Sequence, residues 1–268
     1  MTTQTGPRLS TRELTTITAV DAGVRRERWE SIDASNASED VALEKMTRRR
    51  FDVLPIVTGS TVEAYWQTEK WNDFSSITRK PITDADLISH DTHIRDLIRL
   101  LSESSRLFYF LSHDRDIVGL VSVVNLNRRP VKVWLFSLLS EIETRLAQFI
   151  SSHINDDTLY GTTLGCTTER KYAQVKLRLW EDQDSGLDLP LVEYLYFSDL
   201  VNAALDKQLY TTLGYTRKYF ERSFGSMVHM RDQVAHPVRS IIRDAHAVGK
   251  LWRRIQRIEE ALARLREA

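Results

Sequence analysis

The sequence holds a single cysteine, Cys166, in 268 residues. That excludes an intrachain disulfide and any Cys-rich zinc site, and it suits a reducing cytosol. Apolar runs are short, well below the roughly 18 residues that suggest a membrane span. The opening MTTQTGPRLSTRELTT lacks the apolar core of a signal peptide. Residues 1–16 are therefore expected to be a disordered lead, and the chain a soluble cytoplasmic protein with no membrane partner. Neither charge sign dominates, with 37 Lys/Arg against 37 Asp/Glu, so no global field advertises nucleic acid. No long Gly/Ser/Pro linker divides the chain.

What is present suits a folded protein: 42% of residues are hydrophobic, enough for a real core. The length fits one large domain or two ordinary ones. Charge is spread unevenly, since residues 217–268 carry 12 Lys/Arg and 6 Asp/Glu. A basic end on an acidic body can attract a polyanion, or it can be the solvated side of a helix.

The texture changes near residue 130. In HDTHIRDLIRLLSES, Ile94, Leu97, Ile98, Leu100 and Leu101 recur at helical spacing. RLFYFLS then predicts a buried strand, HDRD a turn, and IVGLVSVV a returning strand interrupted by Gly119. A weaker copy, NASEDVALEKMTRRRFDVLPIV–TGS–TVEAYWQT, precedes it by about 60 residues and suggests an internal repeat. From Pro130 onward the pattern predicts helices. The first carries Val131, Leu135, Leu138, Leu139, Ile142, Leu146, Phe149 and Ile150. A second has Thr168 at its N-cap, and a third begins at LPLVEYLYF. A short helix covers Arg217–Phe224, and a long terminal helix has a seam from Ile241 and Ala245 to Leu265.

The strand IVGLVSVVNLNRRP resembles the corresponding part of a CBS domain, a module found in tandem pairs that pack as a disc and often hold an adenine nucleotide. The family pattern is Gly, hydrophobic, any residue, Ser/Thr, two more residues, Asp. Gly119 and Ser122 fit it, and Asn125 stands where the Asp would be. The resemblance implies a hydroxyl on phosphate and an acid on the ribose hydroxyls. An Asn amide offers one acceptor and one donor group, so ribose binding is altered or weaker. The ligand residues implied are Gly119, Ser122, Asn125 and Asp91 or Thr92. In the first copy Glu63 and Trp66 fall where Gly and Ser/Thr would sit, so that copy reads as degenerate. Two outcomes stay open: one nucleotide site, or a pseudo-site in a dimerisation platform.

The late stretch HMRDQVAHPVR, residues 229–239, resembles the motif of HEPN domains: Arg, a polar residue, a few more residues, His. Arg231, Asp232 and His236 match it. Many HEPN proteins are metal-independent RNA endonucleases that dimerise so that both motifs line one cleft. In their chemistry the ribose 2′-oxygen attacks the adjacent phosphate, leaving a 2′,3′-cyclic phosphate and a 5′-hydroxyl. An imidazole moves protons near neutral pH, and a guanidinium stabilises the phosphorane. On one helix, a spacing of five separates two side chains by ~140°, so Arg231 and His236 do not form a same-face pair. Pro237 moreover pushes His236 out of helical geometry. The plain alternative is that Arg231 pairs with an acid and His236 is a satisfied, partly buried residue. His229, His236 and His246 lack the spacing of a metal site.

The expectation is thus an α+β protein: a tandem CBS-like α/β module over residues 17–129, then an all-α HEPN-like bundle over 130–268. It predicts a dimeric ribonuclease acting on RNA without a catalytic cofactor, with an adenine nucleotide as regulatory ligand. The alternative is a catalytically silent ligand-sensing protein with a vestigial motif.

Overall fold

The computed structural model describes residues 16–104, 106–159, 161, 169–187, 189–236, 238–244 and 246–268. It is a mixed α+β protein with two four-stranded sheets and a C-terminal helical region. The chain divides into two compact units. One comprises residues up to Trp134 with Ser240–Trp252, the other Leu135–Arg239 with Arg253–Ala268. No helix among the described residues is long and apolar enough to cross a membrane.

The first unit contains α1 (Ala19–Ala22), β1 (Val24–Arg25), β2 (Ile32–Asp33), α2 (Glu39–Arg49), β3 (Val53–Thr58), β4 (Thr61–Thr68), β5 (Ile77–Pro81), β6 (Leu87–Ser89), α3 (Ile94–Ser104), β7 (Phe108–His113) and β8 (Asp116–Ser122). One sheet runs β2-β3-β4-β5 and the other β1-β8-β7-β6. Each has a short strand parallel to the next and then a tight antiparallel hairpin.

The internal repeat is exact in spacing. Helices starting at 39 and 94, strands starting at 53 and 108, and returning strands starting at 61 and 116 all stand 55 residues apart. Both hairpins even shift register at the same place, between Ile56 and Val57 and between Leu111 and Ser112. This register corrects the first copy's alignment. Gly119 pairs with Leu111 and Ser122 with Phe108, while Ala64 pairs with Ile56 and Gln67 with Val53. Ala64 and Gln67, not Glu63 and Trp66, therefore occupy the Gly and Ser/Thr positions. The bulge is common to both hairpins and adds no offset; without a Gly–Ser pair in TVEAYWQT, nothing in that strand marks its register against the second copy.

Alternation along the strands explains how the two repeats meet. Leu54 and Ile56 pack with Ala42 and Met46 of α2, together with Trp66 and Ile77. The intervening residues point the other way: Val53 and Tyr65 of one sheet join Phe108 and Phe110 of the other in a shared buried cluster. Tyr65 meets Phe108 and Phe110 edge-on at 5.2 and 5.4 Å between ring centres, a favoured aromatic geometry. Neither repeat buries this face alone.

The helical elements are α4 (Arg129–His153), α5 (Glu169–Asp184), α6 (Phe197–Asp206), α7 (Arg217–Ala235) and α8 (His246–Glu267). Three sequence expectations need correction. The third helix starts at Phe197, because Leu191–Tyr194 forms a 3-10 turn and the Asp199 carboxylate takes the Tyr196 backbone N–H at 3.3 Å. Arg217–Phe224 is not a separate short helix; α7 continues through the motif, since Phe220, Phe224, Met227, Met230 and Val234 sustain one buried stripe. The terminal helix begins after Ile241, whose N–H and that of Ile242 are taken by Asn127 Oδ1 at 2.7 and 2.9 Å. Asp244 then caps α8 by accepting from the Ala247 N–H at 2.8 Å. Thr168 and Ala245 lie outside the described residues. Within the second unit, Arg264 stacks on Tyr215 at 4.3 Å and donates to the Leu213 and Gly214 carbonyls.

Candidate functional site

Three chain segments of the first unit share one local device. Thr18 and Thr83 each give a backbone N–H and a hydroxyl to the carboxylate three residues on, Asp21 and Asp86. Ser122 does the same to Asn125 Oδ1, at 2.8 and 3.1 Å. These are capping boxes at short helical turns. Asn125 thus spends its acceptor on the chain itself, and its first task is to fix the turn that follows β8.

That turn opens onto a cavity of about 380 Å3 between the two repeats. It is lined by Ser122 and Asn125, by the aromatic rings of Trp29, Phe51 and Phe108, and by three arginines, Arg28, Arg50 and Arg128. Arg128 Nη1 donates to the backbone carbonyls of Ala22, at 3.2 Å, and Gly23. Arg50, held in a left-handed conformation at the end of α2, donates to Asn72 Oδ1 at 3.0 Å. Among the described residues none of the three forms an ion pair. Burial lowers the Arg128 pKa from its ordinary value, since desolvation disfavours its charge.

Two acids reach the same cavity, Glu30 and Asp52. Glu30 is engaged by Lys45 at 3.0 Å, which holds its pKa below the usual glutamate value. Asp52 receives the Asn72 N–H at 2.6 Å and the Thr68 hydroxyl at 3.2 Å. Burial nevertheless raises its pKa, outweighing those hydrogen bonds. Asp52 brings a carboxylate to the cavity that Asn125 lines with an amide. The sequence pattern missed it because it belongs to the loop before β3, not to the Gly–Ser strand.

Gly119 and Asp91 do not join this site. A Cβ on Gly119 would lie 2.7 Å from the Val24 carbonyl oxygen, so the glycine lets β1 cross close to β8. Asp91 accepts from the Ser89 hydroxyl. Its neighbourhood is the other end of the sheet, where Ser89 pairs with Ser112 while Ser122 pairs with Phe108. His90 and His113 meet there edge-on, 4.4 Å between ring centres. Asp91 has a lowered pKa, chiefly from the Ser89 hydrogen bond. Thr92 donates its backbone N–H to Ser89.

In the second unit the motif occupies the end of α7. The helix ends at Ala235, and His236 adopts an extended backbone, φ −96° and ψ 109°, the geometry a residue before proline favours. His229, Asp232 and His236 are exposed. Arg231 is half-buried, and its Nε stands 3.7 Å from Glu143 Oε2 on α4. That Nε is buried and makes no hydrogen bond; 3.7 Å is an ion pair, too long for a hydrogen bond. Burial raises the Glu143 pKa against the opposing pull of Arg231 and the Phe197 N–H. The fold thus brings Arg231 to an acid and leaves His236 to solvent. Glu143 was not legible, because nothing in a helical pattern tells which distant cation a carboxylate meets.

No protein-family model matches the sequence, and no curated protein matches it.

Proposed function

We propose that the N-terminal repeats form a receptor for a nucleotide-type anion and that the helical region carries an RNA-cleaving motif under its control. The observation that carries this reading is the cavity where Ser122 and Asn125 meet Arg28, Arg50 and Arg128. Arginines that form no ion pair among the described residues, set beside hydroxyl, amide and aromatic groups, suit a ligand with phosphate, ribose and a flat base. Asp52 is the acceptor for a ribose hydroxyl. The exact twofold repeat, with its shared bulge, supports the resemblance to a tandem CBS module.

For the motif, the reading rests on His236, an exposed imidazole beyond the last turn of α7. In the proposed step a base removes the proton of a ribose 2′-hydroxyl. The 2′-oxygen bonds to the neighbouring phosphorus, and the P–O5′ bond breaks. An acid returns a proton to the 5′-oxygen, so a 2′,3′-cyclic phosphate and a 5′-hydroxyl result. His236 exchanges these protons, and Arg231 neutralises charge on the phosphorane.

The second reading, a sensor without cleavage, is favoured by the Arg231–Glu143 pair, which withholds the cation from a substrate. Incubating the protein with a mixed RNA pool in chelator, with and without adenine nucleotides, separates the two. Cleavage that depends on the nucleotide and is lost in His236→Ala and Arg231→Ala supports the first. Cleavage that survives both substitutions, or none under any condition, removes it.

A further inference from the structure

Helix α5 of the second unit is built with an inside and an outside of unusual composition. Its inner face is Tyr172, Val175, Leu179 and Asp182, buried or half-buried at steps of three and four. The opposite face reads Arg170, Ala173, Gln174, Leu177, Trp180, Glu181 and Asp184, and every one of these is exposed. At ~100° per residue they fall within about 120° of one another around the helix. Leu177 is 54% exposed and Trp180 63%. Trp is usually well buried on average, and here it stands one turn from a second exposed apolar side chain.

The ends of this face differ in sign. Arg170 lies at the N-terminal end, and Glu181 and Asp184 lie toward the C-terminal end. Among the described residues neither Arg170 nor Asp184 has an ion-pair partner. Arg170 and Asp184 are each seven residues from Leu177, about 10 Å along the axis on either side. Such a face is complementary to itself turned through two-fold symmetry. An antiparallel copy sets Leu177 against Leu177, Trp180 near Ala173, and Arg170 near Asp184, twice over. A two-fold interface requires this self-complementarity.

The geometry points to the exposed face of α5 as a homodimer interface, with Leu177 on the two-fold axis and Arg170–Asp184 pairs at both ends. The occupant is a second copy of this chain. A partner with an apolar helix of uniform charge would match one end and be repelled by the other. None of these residues belongs to the cavity of the first unit or to the Arg231–His236 motif, but a chain that stays single at every concentration also counts against the dimeric ribonuclease expected from the sequence.

Sedimentation equilibrium across a dilution series tests it, with circular dichroism on every variant. The wild-type chain is expected to dimerise reversibly. Leu177→Glu is expected to raise the dissociation constant on the order of 30-fold or more without changing helix content, since the side chain is exposed. Arg170→Glu is expected to weaken the dimer, and Arg170→Glu with Asp184→Arg to restore it. In a Cys166→Ser background, Leu177→Cys is expected to cross-link to itself on oxidation. A single-chain mass at every concentration overturns the inference, as does a dimer indifferent to both Leu177→Glu and Arg170→Glu.

Discussion

Ser122 gives both its backbone N–H and its hydroxyl to one atom, Asn125 Oδ1. Thr18–Asp21 and Thr83–Asp86 make the same pair of bonds with a carboxylate. Asn125 therefore substitutes for an aspartate in the cap, whatever it offers a ligand. Asn125→Asp is expected to fold with unchanged stability within about 0.5 kcal/mol. Asn125→Ala is expected to lose about 1–2 kcal/mol, because a cap is lost at a buried position. Urea denaturation of the two variants measures both, and equal loss in each contradicts the account.

Gly119 tests the close crossing of β1 and β8. An added methyl meets the Val24 carbonyl oxygen at 2.7 Å and the Arg25 Cα at 3.4 Å, and the backbone of β1 leaves little room to yield. Gly119→Ala is expected to cost about 1–3 kcal/mol. Because Val24 also lines the cavity, ligand affinity is expected to fall in the same variant. A thermal melt as high as the wild type's argues that β1 does not pack there.

Much of this first unit was legible. The apolar runs in Val53–Thr58 and Phe108–His113, each followed by a polar turn, marked the two hairpins, and the 3.6-residue spacing of Ile94, Leu97, Ile98 and Leu101 marked α3. The edge strands β1, β2, β5 and β6 were not, since two to five residues carry too little periodicity. Ser122 and Asn125, singled out from the sequence, both line one cavity. The arginines completing it come from three distant segments, and sequence order does not bring them together. The sequence reads a short helix over Arg217–Phe224 ahead of the motif, yet the stripe from Phe220 to Val234 carries one helix through.

Asp86 gives a pH dependence of definite sign. It is buried, and burial alone would raise its pKa; its hydrogen bonds from Thr83 and the Arg106 guanidinium at 2.5 Å lower it below the usual aspartate value instead. The folded state therefore binds this proton less tightly than the unfolded chain. Its stabilisation is complete above the unfolded value of about 3.9 and is lost as pH falls through the lower folded value. Asp86→Ala is expected to cost about 2 kcal/mol at neutral pH, less than a fully buried pair because Arg106 is partly exposed. The difference should narrow below pH ~4. A gap constant with pH means that the cap alone, not the charge, matters.

Glu143 has the opposite sign. Burial raises its pKa despite Arg231, so the folded chain holds this proton more tightly than the unfolded one. The favourable contribution is present at low pH and fades as pH rises through the raised folded value. Glu143→Gln, which imitates the protonated acid, is expected to be at least as stable as wild type at neutral pH. The two should converge toward pH ~4. Melting curves over that range decide; a variant clearly less stable at pH ~7 shows instead that the ion pair outweighs the burial of its carboxylate.

The receptor cavity is tested most directly by calorimetric titration of adenosine mono- and triphosphate into the full chain and into Arg28→Ala and Arg128→Ala. Saturable binding at a single site per chain is predicted, weakened on the order of tenfold or more by either substitution, as loss of a charge-assisted contact entails. No heat from either nucleotide with the wild-type chain, or equal affinity in all three proteins, would contradict a nucleotide receptor at this cavity.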